Sequence, residues 1–386
     1  MIVGNRLRSL CATCFFGFSI LVVPGVPIAQ EVGEDARLSN LYFCNFDTPA
    51  SDPGTWTPTT ENLPFDVWLS PTTSSADGGI VICGGTPDIL FLDRGRVVTS
   101  LPFDTSGGSV WNYVVSRDGS AVAYRVGDSV DIQLRNRVGE THEFSPPRTI
   151  PFASYANALY GVLCLSNQGE TLVLRDMAAG GRLFVMDVSF QPPRLVELYR
   201  VYAGSRLAHE AVLSADGKCV FFMVDNQAVF SHYENGLWTP PEDLLIDGRI
   251  TDVRITDCNT DASWLLSGNK VIERTGETFT TRCEITPPED LPFYYQQISE
   301  DGQTVAFILS DPETQEWKYT GEPPPRDRLY VAQLDKADGE YQARTTLLDE
   351  GNDISFRLLA DGRSILWWSS GIYMPDPSAV SEWTLH

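Results

Sequence analysis

The chain has 386 residues, of which 42% are hydrophobic and 11% aromatic, and its formal net charge is −23 at pH 7. That length and apolar content are enough to build a sizeable packed core. The excess of acidic groups repels a phosphate backbone or an anionic membrane surface, which excludes nucleic acid as a class of partner.

The first 29 residues have the pattern of an export signal. Arg6 and Arg8 precede an apolar run from Cys11 to Val23, and prolines end that run. The run is about thirteen residues long, too short for a membrane-spanning helix. We therefore expect this segment to be removed and residues 30–386 to form one domain. The mature protein is then predicted to be secreted or periplasmic, with no stable membrane anchor.

A Ser-x-Asp-Gly turn followed by an apolar strand recurs along the rest of the chain. Clear copies have their Asp-Gly pairs at 77–78, 118–119, 216–217 and 301–302, and weaker copies lie at 166–169, 256–266 and 360–362. Asp-Gly between apolar runs indicates a hairpin, because Gly accepts a positive φ and Asp bonds the local backbone. Successive copies are 41, 50, 48, 44, 41 and 60 residues apart. This spacing predicts seven units, each the length of a propeller blade.

A proline-rich connector repeats at the same period. The segment Thr-Pro-Pro-Glu-Asp-Leu occurs at 239–244 and again at 286–291, a shift of 47 residues. Proline cannot donate a hydrogen bond to a neighbouring strand, so these segments are predicted to link one blade's outermost strand to the next blade's innermost strand.

The repeats predict an all-β fold, a seven-bladed β-propeller of four-stranded antiparallel blades, with six or eight blades as alternatives. Near the start, residues 38–60 contain two strand-like stretches. We prefer a closure in which they complete the last blade, which begins near Ile354, because this removes a free sheet edge. An extra partial blade is the alternative.

Over about residues 60–375 the units resemble the TolB-type, WD-repeat-like Asp-Gly propeller family. The resemblance rests on the Ser-x-Asp-Gly turn followed by an apolar strand. It departs at the family's frequent Pro after Ser, which is Ala76, Arg117, Ala215 or Glu300 here. The resemblance implies a propeller of the kind common in exported and periplasmic proteins that bind other proteins or glycans.

Acidic residues gather in the connectors that a propeller brings to one face. That face would present an acidic rim that attracts cations or a basic partner surface. The candidate binding residues on it are Glu242, Asp243, Glu289, Asp290, Asp128, Asp176 and Asp225.

The longest irregularity of the repeat is the segment Ser310–Asp327. It carries Trp317 and Tyr319. Long loops in compact repeats are often functional, and exposed aromatic residues commonly anchor contacts. We therefore add these two aromatic residues to the candidate binding surface, with a tolerated insertion as the alternative.

Six cysteines follow the export signal, an even number that favours disulfides in an oxidising compartment. Cys219 and Cys258 occupy equivalent edges of neighbouring units, so they are the predicted pair. Cys258 and Cys283 of one unit would be about 14 Å apart, across three strand spacings, too far to bridge.

Familiar catalytic and metal-binding motifs are incomplete in this sequence. His209-Glu210 opens an H-E-x-x-H pattern, but Leu213 replaces the second His. The stretch 257–261 has the alternating oxygen ligands of a calcium loop without its Gly and Glu. The repeated turn aspartates are explained by the turns themselves. We therefore predict no metal and no cofactor.

The functional hypothesis is an exported, non-catalytic and monomeric propeller that binds a protein or glycan partner through its acidic loop face. The alternative is a polysaccharide lyase or glycosidase with carboxylates at the channel mouth. A glycosidase needs two carboxyls about 5 to 9.5 Å apart, a distance that sequence spacing in a ring cannot establish.

Overall fold

The computed structural model describes residues 39–45, 59–63, 74–82, 88–103, 110–127, 131–151, 160–176, 181–200, 207–310, 327–337 and 340–370. The predicted export signal and the loop with Trp317 and Tyr319 lie outside these residues, as does Asp128. Within the described ranges, no helix has the length and apolarity needed to cross a membrane.

Seven antiparallel sheets form a ring, which confirms the predicted seven-bladed β-propeller. β1 (Ser39–Asn45) and β2 (Thr59–Leu63) belong to blade 7. Blade 1 contains β3 (Ile80–Ile82), β4 (Asp88–Asp93) and β5 (Arg96–Pro102); blade 2 contains β6 (Val110–Val115), β7 (Ala121–Val126), β8 (Ile132–Asn136) and β9 (Arg148–Ile150); blade 3 contains β10 (Tyr160–Leu165), β11 (Thr171–Asp176), β12 (Arg182–Asp187) and β13 (Arg194–Arg200).

The remaining blades carry two irregularities, a short outer hairpin and a shared strand. Blade 4 contains β14 (Leu207–Leu213), β15 (Cys219–Val224), β16 (Gln227–Glu234), β17 (Leu237–Trp238) and β18 (Glu242–Asp243); an outer hairpin of β19 (Leu245–Ile246) and β20 (Arg249–Ile250) joins blade 5, which contains β21 (Ile255–Cys258), β22 (Trp264–Ser267), β23 (Lys270–Thr275) and β24 (Thr278–Glu284). Blade 6 contains β25 (Phe293–Ile298), β26 (Thr304–Leu309), β27 (Asp327–Ala337) and the first part of β28 (Glu340–Leu358), whose last part opens blade 7 before β29 (Ser364–Ser370).

The Asp-Gly turns form for the reasons that the sequence suggests. In blade 2, Asp118 Oδ1 accepts hydrogen bonds from Ser116 Oγ (2.7 Å) and from the backbone N–H of Ser120 (3.0 Å). Gly119 follows with a φ of +69°, which a residue without Cβ adopts at little cost. The same Ser-to-Asp bond recurs in blades 1, 4 and 6.

Backbone hydrogen bonds join these turns from blade to blade around the ring. They run from Ala76 N to Arg117 O (2.5 Å), from Asn167 N to Ala215 O (2.8 Å), from Asp216 N to Thr260 O (2.9 Å), from Glu300 N to Ala360 O (3.4 Å) and from Ala360 N to Ala76 O (2.7 Å). Side chains supply the two remaining links, from Asp118 N to Asn167 Oδ1 (3.0 Å) and from Thr260 N to Glu300 Oε2 (2.8 Å). One face of the ring is therefore a closed circuit of turns.

The ring closes through the N-terminal strand. β1 pairs antiparallel with β29, with Asn45 opposite Ser364 and Leu41 opposite Trp368, and β2 pairs with the outer edge of β1. Tyr42 also stacks on Trp367, with ring centroids 5.2 Å apart. Blade 7 therefore combines strands from both ends of the described chain.

The core lies between blades as well as within them. The second strand of most blades is buried on both faces, as in β3, β7 and β26, because each blade packs between two neighbours. One apolar cluster, for example, combines Phe221 of blade 4 with Leu265 and Phe279 of blade 5.

The connector between blades 4 and 5 differs from the prediction. Glu242 and Asp243 lie on the short strand β18, which pairs with β16, and not in the passage to the next blade's innermost strand. The chain then adds the β19–β20 hairpin, in which Ile246 pairs with Phe279 of β24. Leu244 is fully buried in this cluster, so apolar packing holds the connector against the blades.

Candidate functional site

The central channel is lined differently on its two sides. Two residues before the turn serine, or its equivalent, the innermost strands of blades 2, 3 and 4 carry Val114, Cys164 and Val212. The innermost strands of blades 5, 6 and 7 carry Asp257, Gln297 and Arg357 at the same position. We call these the apolar half and the polar half of the channel.

In the polar half, each of these side chains bonds to the backbone of the next blade. The N–H of Ile298 donates to Asp257 Oδ2 (2.9 Å), and the N–H of Leu358 donates to Gln297 Oε1 (2.8 Å). Arg357 Nε donates to Ser75 O (3.2 Å). The polar half therefore ties blades 5, 6, 7 and 1 together in sequence.

Arg117 crosses the channel from blade 2 to the polar half. Its Nε lies 2.5 Å from Glu300 Oε1, and its Nη1 lies 3.5 Å from Asp257 Oδ1. The guanidinium also donates to the backbone carbonyls of Cys258 and Ile298. Since blades 5 and 6 are opposite blade 2 in a ring of seven, this side chain closes the channel near the turn face. We call this arrangement the Arg117 bridge.

The charges of this network are balanced, with Asp257 and Arg357 buried and with Arg117 and Glu300 partly exposed. Burial lowers the pKa of Arg117, but Asp257 and Glu300 outweigh that effect, so its pKa lies above the ordinary value. Burial, together with the like charge of Arg117, lowers the pKa of Arg357 to about 10. Burial raises the pKa of Asp257, although both arginines oppose the shift. Two guanidinium groups thus compensate two carboxylates inside the channel.

The acidic loop face is only partly available as a binding surface. Asp176 is 4% exposed and accepts two hydrogen bonds from Arg182 (2.9 and 2.7 Å). Glu289 forms an ion pair with Arg328 and accepts a hydrogen bond from Tyr330 Oη (2.6 Å). Both carboxylates therefore bond to side chains of the propeller itself, which makes them less available to a binding partner.

Four other predicted rim residues are exposed to solvent. They are Glu242 and Asp243 on β18, Asp225 in the turn between β15 and β16, and Asp290 between blades 5 and 6. Across the described part of the chain, no group of three or more His, Cys, Asp or Glu side chains is arranged to hold a metal ion.

The predicted disulfide between Cys219 and Cys258 is not formed. Both cysteines are free thiols that pack in one apolar cluster between blades 4 and 5. Cys219 Sγ instead accepts a hydrogen bond from Arg274 Nη1 (2.8 Å). Burial raises the pKa of both thiols, which favours the protonated form. Although the two cysteines occupy equivalent positions on neighbouring blades, their sulfur atoms do not form a bond.

A cavity of about 330 Å³ opens where blade 7 meets blade 1. Its lining, which we call the seam cavity, comprises Phe43, Asn45, Asp77, Gly78, Gly79, Leu92, Asp93, Arg94, Gly95, Leu359, Asp361, Ser364 and Leu366. Its volume is at the lower end of the range usual for small-ligand pockets. This cavity was not predicted from the sequence: Ser364 occupies the position that Trp264 fills in blade 5, but small residues such as Ala121 and Thr171 occupy it in other blades.

Seven small antiparallel sheets around a channel closed by side chains define the class of protein: it is a β-propeller. No protein-family model and no curated protein sequence matches the chain. Among solved structures it is similar to a candidate TolB from Agrobacterium tumefaciens, with 14% identity over 88% of this chain and 99% of that one and a TM-score of 0.45.

Two further solved structures are similar over most of their length. One is the β-propeller domain of Cps50 (Swd1) from Myceliophteria thermophila, with 12% identity over 79% of this chain and 96% of that chain and a TM-score of 0.48. The other is a candidate 6-phosphogluconolactonase from Bacteroides uniformis, with 15% identity over 81% and 97% and a TM-score of 0.43. These likenesses concern the fold.

Proposed function

We propose that this chain is an exported, non-catalytic propeller that binds a protein or glycan partner through acidic side chains on its surface. The Arg117 bridge is the observation that carries this proposal. Asp257 and Glu300 lie close together across the ring from blade 2, and both are held by Arg117. A glycosidase or lyase needs carboxyls that are free to exchange protons or attack the substrate, so this pair favours a structural role.

The exposed acidic residues of the loop face support the surface part of the proposal. Glu242 and Asp243 are adjacent and exposed on β18. A net charge of −23 gives the whole surface a field that attracts basic partners. Opposite charges across an interface mainly accelerate encounter and select the partner.

The test is partner capture with the full chain as bait, followed by charge reversal. The variant Glu242→Lys/Asp243→Lys is compared with Glu277→Lys/Asp335→Lys, which reverses two exposed acidic residues elsewhere. A captured protein or glycan should bind the first variant at least tenfold more weakly and should bind the second as it binds the wild type. Equal weakening by both variants would contradict a specific role for this surface.

Export is supported by the pattern of the first 29 residues. Expression of the full chain should yield a product that lacks this segment and is found outside the cytoplasm. Intact mass measurement and cell fractionation check this expectation. A cytoplasmic protein that retains its first residue would overturn it.

A further inference from the structure

The junctions between blades follow one packing rule. Outside blade 5, which has Ala262 at this position, the turn glycine of a blade approaches the preceding blade at its turn serine, or the equivalent residue, or at the residue five positions later. A Cβ on Gly302 of blade 6 would lie 2.2 Å from the Trp264 ring of blade 5. A Cβ on Gly362 of blade 7 would lie 2.9 Å from the Ser299 Cβ of blade 6. Side chains at these two positions therefore fill the seam.

The junction between blades 7 and 1 follows this rule with a different residue. Leu359 stands where most blades have the turn serine, and its side chain comes within 2.8 Å of a Cβ placed on Gly78. Ser364 stands where blade 5 has Trp264 and where blades 2, 3 and 6 have Ala121, Thr171 and Thr304, and it lines the seam cavity.

The walls of the seam cavity are of two kinds. Apolar surface comes from Phe43 of β1, from Leu92 of blade 1 and from Leu359 and Leu366 of blade 7. Such surface suits a chain of methylene groups.

Polar groups complete the lining. Three carboxylates, Asp77, Asp93 and Asp361, are accompanied by one guanidinium, Arg94. The formal charge of the lining is therefore −3 + 1 = −2. Asn45 Nδ2 donates to Ser364 Oγ (2.9 Å), which donates to Asp361 Oδ2 (3.0 Å), so the closing strand helps to orient this carboxylate.

We propose that the seam cavity binds a basic side chain, an arginine or lysine, presented by a protein partner. The methylene groups of that side chain pack on Phe43, Leu359 and Leu366, and its cationic end faces Asp77 and Asp361. Charge complementarity selects this occupant, because a neutral sugar would gain no such attraction from the lining. The inference goes beyond the proposed function, since the cavity is separate from the exposed acidic residues of β18.

Occupancy of this site has a consequence for the ring. The lining includes β1, the turn of blade 1 and the turn of blade 7. A bound side chain therefore contacts both sides of the non-covalent closure. Since a ligand that binds only the folded state stabilises it, thermal unfolding should shift upward as the ligand concentration rises.

The experiment uses agmatine, which carries an arginine-like guanidinium on a butyl chain, with methyl glucoside as a neutral sugar probe. Binding to the full chain is followed by calorimetry and by thermal unfolding at millimolar ligand. We expect agmatine to bind in a saturable way, to raise the unfolding temperature and to bind more weakly as salt increases. Methyl glucoside should do none of these.

Two variants and one matched control locate the binding. Asp77→Asn keeps a turn residue that can accept the hydrogen bonds of Ser75 and Gly79 but removes the charge, and it should weaken agmatine binding at least fivefold. Asp301→Asn makes the same change in blade 6, beside the seam that Trp264 fills, and should leave binding unchanged. Ser364→Trp copies the blade 5 arrangement and should abolish binding.

The proposal fails if folded wild-type protein does not bind agmatine, or if Asp77→Asn and Asp301→Asn weaken binding equally. It also fails if methyl glucoside binds at the seam cavity and agmatine does not, because that result would assign the cavity to a glycan. If Ser364→Trp does not fold, the comparison of Asp77→Asn with Asp301→Asn still shows whether agmatine binds at the seam cavity. Loss of binding at the seam leaves the charge-reversal test on β18 unaffected, so the two proposals can fail separately.

Discussion

The two halves of the channel hold neighbouring blades together by different kinds of interaction. In the apolar half, Val114 and Val212 pack in apolar clusters between blades, and Cys164 Sγ adds a thiol hydrogen bond to Ala211 O of blade 4. In the polar half, Asp257, Gln297 and Arg357 each make directed bonds to the next blade. Directed bonds fix the spacing of the blades, but each leaves a costly unpaired group when one partner is removed. The polar half should therefore tolerate substitution less well.

Removal of Arg117 should have the largest effect. Arg117→Met leaves Asp257 and Glu300 without their shared cation, and breaking a buried pair from one side costs about 3–5 kcal/mol of unfolding free energy. Urea unfolding at neutral pH measures this loss. The control is Arg137→Met, where the guanidinium bonds to exposed loop carbonyls and lies over the Phe91 ring, and the cost should be about 1 kcal/mol or less. Equal losses would show that the bridge has no special role.

The next largest effect should come from Gln297. In Gln297→Leu the N–H of Leu358 and the carbonyl of Phe356 lose their partner, and unsatisfied buried groups cost about 1–3 kcal/mol. The same unfolding measurement applies. Gln303→Leu, at an exposed position of the following turn, should change stability by about 0.5 kcal/mol or less. Unchanged stability of Gln297→Leu would contradict the directed-bond account of the polar half.

A smaller effect should appear in the pH dependence of Asp257. Burial raises its pKa in the folded protein, with Arg117 and Arg357 in opposition. Between the unfolded and folded values the native state binds more protons, so this group's contribution to stability increases toward acid and decreases as pH rises. The stability difference between wild type and Asp257→Asn should therefore shift toward the wild type as pH falls from neutral to about 4. A shift in the opposite direction would mean that Arg117 lowers the pKa of Asp257 more than burial raises it.

Substitution of a turn aspartate should have the smallest effect on the free energy of unfolding. It gives a baseline against which substitutions in either half of the channel can be compared. Asp216→Asn should cost only about a few tenths of a kcal/mol, because Asn can accept the bonds from Ser214 Oγ and Lys218 N and also suits turns. The ion pair with Lys218, at 3.7 Å on the surface, adds little. Thermal unfolding checks this value. A cost above that of Gln297→Leu would place the main constraint in the turns and not in the channel.

The propeller could be predicted from the sequence because its signal is local and repeated. A Ser-x-Asp-Gly turn specifies a hairpin from neighbouring residues, and seven copies specify the ring. The Arg117 bridge could not be predicted in this way. Arg117 stands where other copies have Ala76 or Ala215, which marks it as unusual, but its partner Cys258 is 141 residues away. Only the circular arrangement brings them together.

The predicted binding and disulfide residues depend on the direction and partners of each side chain, which the spacing of the repeats does not determine. Asp176 and Glu289 were predicted to form a free acidic rim, and the structure pairs them with Arg182 and Arg328. The predicted disulfide is not present in the structure, since equivalent positions fix the backbone but not the direction of each sulfur. The seam cavity lies beside Ser364, but Ala121 and Thr171 are also small at the same position of other blades, so residue size there does not predict it.

The pairing of β1 with β29 also sets an order of events during synthesis. Asn45 and Ser364 are hydrogen-bonded although 319 residues separate them. While the ribosome is still making the first six blades, β1 can pair with β2 but lacks β29, and Tyr42 lacks its stacking partner Trp367. The last blade can form only after residue 370 has left the ribosomal tunnel. A chain that stalls before that point carries a sticky N-terminal strand, which is a natural target for a holding chaperone.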